Sequence, residues 1–243
     1  MKQIMLILLL IVVPMLEPFA QIRSKNVVEF ETNKGLNGKK LEIAFNKGKK
    51  FKDPTFAIWI EDMEGKYIET LYVTQYLGSG IYRHAKRAEG RPLSKSGPAK
   101  RPSTLPVWLH QRNNGTSLLP TPDAPVLDAI SGATPKNSFI LNTASTQKLP
   151  AQFKVMFEIN QPFDYNKHWT KEIYPAEFDY NYSAQPALVY AAVIDNSKKS
   201  DKVQFELIGH SHYSGRNGEL YSDVSSFTTA LSIVEKIFVV VKD

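Results

Sequence analysis

The chain reads as an all-β protein: an antiparallel β-sandwich with a long irregular loop region and few helices. Two observations predict this. Short segments alternating apolar with polar residues recur along the 243 residues, separated by Gly, Pro, Asn and Asp turn signals. No long stretch carries apolar residues at the 3.6-residue spacing of an amphipathic helix. There is no cysteine, so no disulfide or thiolate metal site supplements the core, and a chain of this length can bury a sizeable one.

The first twenty residues stand apart. Lys2 precedes the unbroken apolar run Ile4 to Val13, and Pro14 to Gln21 resembles the end of a cleavable signal, with the cut near Ala20. That run is too short to span a bilayer as a helix, so residues 1–20 read as a secretory signal peptide. The expectation is a periplasmic or secreted protein that does not span the membrane once processed, with residues 21–243 as one domain.

Strands are then expected at Val27–Thr32, Leu41–Phe45, Phe56–Ile60 and Lys66–Val73, the last two joined by the hairpin turn Asp62-Met63-Glu64-Gly65. These four point to one antiparallel sheet. From about 78 to 134 the pattern breaks down: seven prolines, from Pro92 to Pro125, occur among Gly and Ser, and only Leu105 to His110 looks ordered. An irregular insertion this long is usually functional or mobile. Strand patterns resume at Phe139–Asn142, Phe153–Ile159, Pro186–Asp195 and Lys202–Tyr213, and Arg216–Glu219 supplies a tight turn. Ser225–Ser232 reads as a helical turn or loop, and Glu235–Lys242 as a closing strand.

The formal net charge is +6. Much of the excess lies in the insertion, at Arg83, Lys86, Arg87, Arg91, Lys95, Lys100, Arg101 and Arg112. A solvated basic loop, a site for a phosphate-bearing cofactor and contact with an anionic lipid surface all fit it. No nucleic-acid-binding motif is present, and the leader argues against such a partner.

Catalytic machinery is thin. HExxH, GxSxG, P-loop and GxGxxG patterns are absent, and no nucleophile–base pair stands out, so an electron carrier or binding module is expected rather than an enzyme. His210 and His212 lie two apart in a strand-like segment, which puts both imidazoles on one face as candidate metal ligands. A third ligand would come from His168, Glu219 or Asp223. The alternative is two polar residues on a solvated face. The many Tyr and Trp side chains fit a sandwich core, or a stacking platform for a sugar or flavin.

The most specific text is Asp128-Ala129-Ile130-Ser131-Gly132-Ala133-Thr134. It reads either as a turn before the Phe139 strand, with Gly132 as its turn residue, or as a modification site. Thr134 offers a hydroxyl, and nothing adjacent in sequence activates it. Gly132 and Ala133 leave a slim backbone, Asp128 and Ser131 supply hydrogen-bonding groups, and Pro135 biases Thr134 toward an extended conformation. The string resembles the acceptor motif at which periplasmic flavin transferases attach FMN to threonine as a phosphoester. The same motif is typical of a flavin-carrying component of the sodium-pumping NADH:quinone oxidoreductase and of FMN-binding electron-transfer domains. Those domains have a surrounding helix-containing fold and usually continue with Thr or Ser after SGAT-x, whereas this chain continues Pro135-Lys136-Asn137. The resemblance implies covalent FMN on Thr134, with Asp128, Ser131, Gly132 and Ala133 as cofactor-binding residues and a flavin transferase as partner.

A wider resemblance runs over most of residues 27–243. It is carried by PTFAIWIEDMEGKYIETLYV, PVWLHQRN, DAISGATPKNSF and SFTTALSIVEKIFVVV. These segments resemble a family of predicted periplasmic proteins of unknown function, whose C-terminal half is similar to the immunoglobulin-like module of the flagellar hook-capping protein. Members tend to be encoded beside flavin transferases and PepSY-type membrane proteins. That implies an Ig-like sandwich in extracytoplasmic flavin or electron transfer with a membrane redox protein, or a non-catalytic interaction module of the cell envelope.

Overall fold

Along Lys40–Lys47, Leu41, Ile43 and Phe45 are buried while Lys40 and Lys47 are exposed, the two-residue period of a strand with one face on a core. The computed structural model describes residues 27–83, 85, 87–88, 91–92, 95–116, 118–126, 134–198 and 201–242. Two five-stranded sheets pack face to face. Numbered along the chain, the first sheet runs β1 (Val28–Glu31), β9 (Phe139–Ala144), β2 (Lys40–Lys47), β14 (Val234–Lys242), β12 (Lys202–Gln204). The second runs β13 (Glu206–His210), β11 (Leu188–Asp195), β10 (Gln152–Asn160), β3 (Thr55–Glu61), β4 (Tyr67–Val73). The fold is thus an all-β sandwich.

Between the sheets, Leu41, Ile43, Phe45, Leu141 and Val239 face Ile58, Val155, Phe157 and Ile194 in one hydrophobic core. Phe139 binds the layers: its ring stacks on Phe45 at 4.8 Å and on Phe56 at 5.3 Å. The β3–β4 hairpin turns where expected. Gly65 takes φ +86°, and Asp62 accepts from the backbone N–H groups of Gly65 and Lys66, the latter through its carboxylate.

Three expectations are corrected. The four N-terminal strands do not form one sheet: β1 and β2 belong to the first and β3 and β4 to the second. β1 runs parallel to β9, from Val28 opposite Phe139 to Glu31 opposite Asn142. Lys202–Tyr213 is not one strand. The chain crosses between sheets at buried Phe205, whose N–H donates to the Ile237 carbonyl, and regular pairing with β11 ends at His210.

Part of the irregular 78–134 region packs on the sandwich, with residues 103–110 all buried. Its described parts include the end of α1 (Gln75–Ser79), a ribbon of β5 (Ile81–Tyr82) with β8 (Gly97–Pro98), a second of β6 (Arg87–Ala88) with β7 (Arg91–Pro92), and α2 (Pro106–Arg112). Leu77, Tyr82, Leu105, Trp108 and Val126 form a second core against Ala57, Trp59, Met156 and Val189, on the outer face of the second sheet. This explains the unbroken apolar text of β3: all seven of its residues are buried, because both faces of the strand are covered. Two short helices complete the fold, α3 (Tyr180–Ser183) and a 3-10 turn at Ala230–Ser232.

One polar contact fastens α2 to the sheet. Glu158 lies on the outward side of β10, fully buried, and its carboxylate accepts from the Val107 N–H at 3.2 Å and the Trp108 N–H at 2.8 Å. These are orphan donors of the first helical turn, which a carboxylate satisfies well. Burial nevertheless pushes its pKa up to about 8, outweighing the two hydrogen bonds that favour the charged form.

Candidate functional site

Thr134 lies half-buried, followed by buried Pro135 and exposed Lys136. The segment is then tied down. The Ser138 carbonyl accepts from the Val28 N–H at 2.9 Å, and the Ser138 hydroxyl accepts from the Lys47 N–H at 3.1 Å. The Lys47 ammonium donates to Asn137 Oδ1 at 2.5 Å. Thr134 therefore sits where β9 begins and β2 ends, at one end of the first sheet. Its hydroxyl makes no hydrogen bond among the described residues. The neighbouring positions Asp128, Ser131, Gly132 and Ala133, assigned to cofactor binding from sequence, lie outside the described residues.

An FMN phosphoester needs a free hydroxyl and nearby cationic donors. Thr134 has the first; Lys136 follows it by two residues, and the ammonium of Lys47, on β2, reaches Asn137. The described residues next to Thr134 thus offer the sign of charge that a phosphate requires.

Two cations of the basic insertion have structural contacts, while Arg83, Lys95 and Lys100 are exposed. The Arg101 guanidinium lies between the rings of Tyr82, at 4.3 Å, and Tyr182, at 4.1 Å. Burial holds its pKa below the usual range, against the pull of both tyrosines. A cation stacked on two rings pins the insertion to the Tyr180–Ser183 helix. Arg112 donates to Asn113 Oδ1 at 3.3 Å.

His210 and His212 come near one another, though not through strand periodicity, since β13 ends at His210. Both rings lie against Tyr221, at 5.5 and 5.8 Å. His210 donates through Nδ1 to the Ser211 carbonyl at 2.8 Å, and His212 Nδ1 accepts from the Ser214 N–H at 3.1 Å. Burial lowers the pKa of both. Of the suggested third ligands, Asp223 lies by His210 and Glu219 near His212, each pulling the pKa upward, but Glu219 accepts from Tyr221 at 3.0 Å and Asp223 from the Ser225 N–H at 2.9 Å; His168 packs edge-on to Trp169. No group of three or more His, Asp or Glu side chains placed to hold a metal occurs among the described residues.

Sequence reasoning missed two polar features. One is Glu158, whose signal was a lone carboxylate within the apolar text VMFEI. The other is a network around the Gln185 amide. Gln185 Nε2 donates to the Asp164 carbonyl and the Thr229 hydroxyl, its Oε1 accepts from Asn166 and the Thr228 N–H, and Thr229 donates to Asp164 Oδ1 at 2.6 Å. It locks the 160–185 loop to the segment before β14. The tyrosines and tryptophans are mostly structural: Trp59, Trp108, Tyr72 and Tyr180 are fully buried.

No family model, curated protein or solved structure matches the chain.

Proposed function

We propose that the protein is an exported β-sandwich serving extracytoplasmic flavin or electron transfer, carrying FMN covalently on Thr134 or using that loop to contact a flavin-bearing partner. The observation that carries this reading is the position of Thr134. It ends the string that resembles a flavinylation acceptor, its hydroxyl is uncommitted among the described residues, and it adjoins the lysine-tethered start of β9. Bound flavin would supply one- and two-electron redox chemistry. The chain's own part is to present the hydroxyl: Pro135 restricts Thr134, and the Ser138 bonds fix the segment behind it.

The test is co-expression with a periplasmic flavin transferase, followed by peptide mass spectrometry and absorbance between about 350 and 500 nm. An FMN adduct on the Thr134 peptide, lost in Thr134→Val, supports the covalent reading. An unmodified Thr134 peptide in the presence of active transferase removes it.

A further inference from the structure

We propose that the end of the sandwich formed by the β2–β3 loop and the start of β14 docks on an anionic phospholipid surface. Lys47, Lys49, Lys50 and Lys52 are all exposed within six residues, joined by exposed Lys136 and Lys236. The backbone holds these positions together. Gly48 and Lys50 donate to the carbonyls of Ile233 and Ser232, Lys47 bonds to Ser138 and Asn137, and Lys236 stands opposite Asn46. None of the six forms an ion pair within 4 Å among the described residues; toward the other end Lys34, Lys198 and Lys242 do, and Lys40 and Lys202 do not. The acids near them are exposed Asp53 and Glu235 and the half-buried Asp164, which is committed to Thr229. The surface is therefore net positive.

Exposed apolar side chains flank this charge. Leu231 is 38% exposed beside Ser232, which Lys50 contacts. Phe163 is 53% exposed two residues from Gln161, whose amide oxygen accepts from the Lys52 N–H at 2.8 Å. The combination favours lipid over an acidic protein. All six cations are lysines, point charges without the bidentate fork that selects carboxylates. Diffuse positive charge with one or two apolar side chains able to enter the headgroup layer is what peripheral membrane contact requires.

The test is co-sedimentation of the purified protein with vesicles of phosphatidylglycerol mixed with phosphatidylcholine, and with vesicles of phosphatidylcholine alone. No flavin is needed, so the outcome is independent of Thr134 modification. Binding to the anionic vesicles alone is expected, weakening as salt rises. Each lysine near the surface contributes roughly fivefold to the partition constant at low salt. Replacing Lys47, Lys49, Lys50 and Lys52 together by Gln is then expected to weaken binding by about a hundredfold or more. A control replacing Lys34, Lys40, Lys198 and Lys202 by Gln removes equal charge from other exposed positions and is expected to cost less than about tenfold. Phe163→Ser and Leu231→Ser should each weaken binding without changing its salt dependence. Circular dichroism of every variant establishes that it is folded. Equal loss in the two quadruple variants would reduce the effect to net charge and overturn the proposal. Failure to distinguish the two vesicles would do the same, as would capture of an acidic protein without vesicle binding.

Discussion

Replacing Glu158 by Gln should remove a specific pH dependence of stability. The carboxyl is fully buried, and its pKa stands at about 8 in the fold against an ordinary 4.5. The folded protein therefore binds more protons than the unfolded chain between these values. The group's contribution is fully present below about 4.5, declines as pH rises, and is lost once pH has passed through about 8. One proton sets a maximum slope of about 1.4 kcal/mol per pH unit, so the whole window carries on the order of 5 kcal/mol. His210 and His212 act oppositely: with pKa values held below the ordinary 6.5, their contribution is lost as pH falls below it. The wild-type curve is thus a sum of opposed trends, and the difference between wild type and Glu158→Gln isolates the carboxyl.

Gln is nearly isosteric and does not titrate, but its amide can accept from only one of the two donors at Val107 and Trp108. It should cost about 1–3 kcal/mol near pH 5, where one buried N–H loses its partner. The deficit should shrink, and can reverse, by pH 8 to 9, where the wild type must hold an ionised carboxylate in the core. Urea unfolding at unit steps from pH 5 to 9, followed by tryptophan fluorescence, measures both curves. Parallel curves with a constant offset would refute the reasoning, because they would mean that Glu158 ionises in the fold as readily as in the unfolded chain.

The remaining predictions concern the covered outer face of the second sheet and the loops beyond it. Trp108→Ala should destabilise by about 3–5 kcal/mol in chemical denaturation, since the ring is fully buried and its indole N–H donates to Thr70 at 2.9 Å. Gly215→Ala should cost more than Gly65→Ala, by about 1–2 kcal/mol. Both positions have positive φ, but a Cβ at Gly215 would collide with the Pro102 carbonyl while one at Gly65 meets nothing within 4 Å. NMR titration of the imidazole protons should place His210 and His212 below the ordinary histidine range, and a value above it for either would contradict the burial of the two rings.

Strand positions were legible because each side chain either faces the inter-sheet core or does not. Pairing was harder. Nothing local in VEFE of β1 says that its partner is β9, or that they run parallel. The division of Lys202–Tyr213 was hidden for a different reason. Val203, Phe205 and Leu207 keep apolar residues at alternate positions across the change of sheet, so the periodicity never breaks. In the insertion Leu105–His110 stood out as ordered and is most of α2, but that its apolar side chains pack on the outer face of a sheet is a tertiary contact the local text does not encode. Glu158 could be read as facing away from the inter-sheet core. That its own side would be covered could not, because the cover arrives from α2, far along the chain. At Thr134 the chemistry was visible in the letters, while the Lys47 tether is a tertiary contact no local pattern encodes.

The two proposals meet at one end of the molecule for a structural reason. The outer face of the second sheet is occupied by the insertion, held by Glu158 and Trp108, and the large tyrosines Tyr72 and Tyr180 are consumed in packing. Among the described residues, one region that packing leaves uncommitted is where β2 ends and β9 and β14 begin: its six exposed lysines form no ion pair and the Thr134 hydroxyl has no hydrogen-bond partner among them. If both proposals hold, a group carried on Thr134 would be displayed at the same end as the lysines, near the level of the headgroups. The two ideas stand or fall separately, since vesicle binding requires no modification and modification requires no vesicle. If both hold, Lys47 becomes the informative position. Lys47→Gln should lower vesicle affinity about fivefold and, through the lost Asn137 contact, loosen the segment that presents Thr134, slowing flavin transfer as well. Lys49→Gln should show only the first effect.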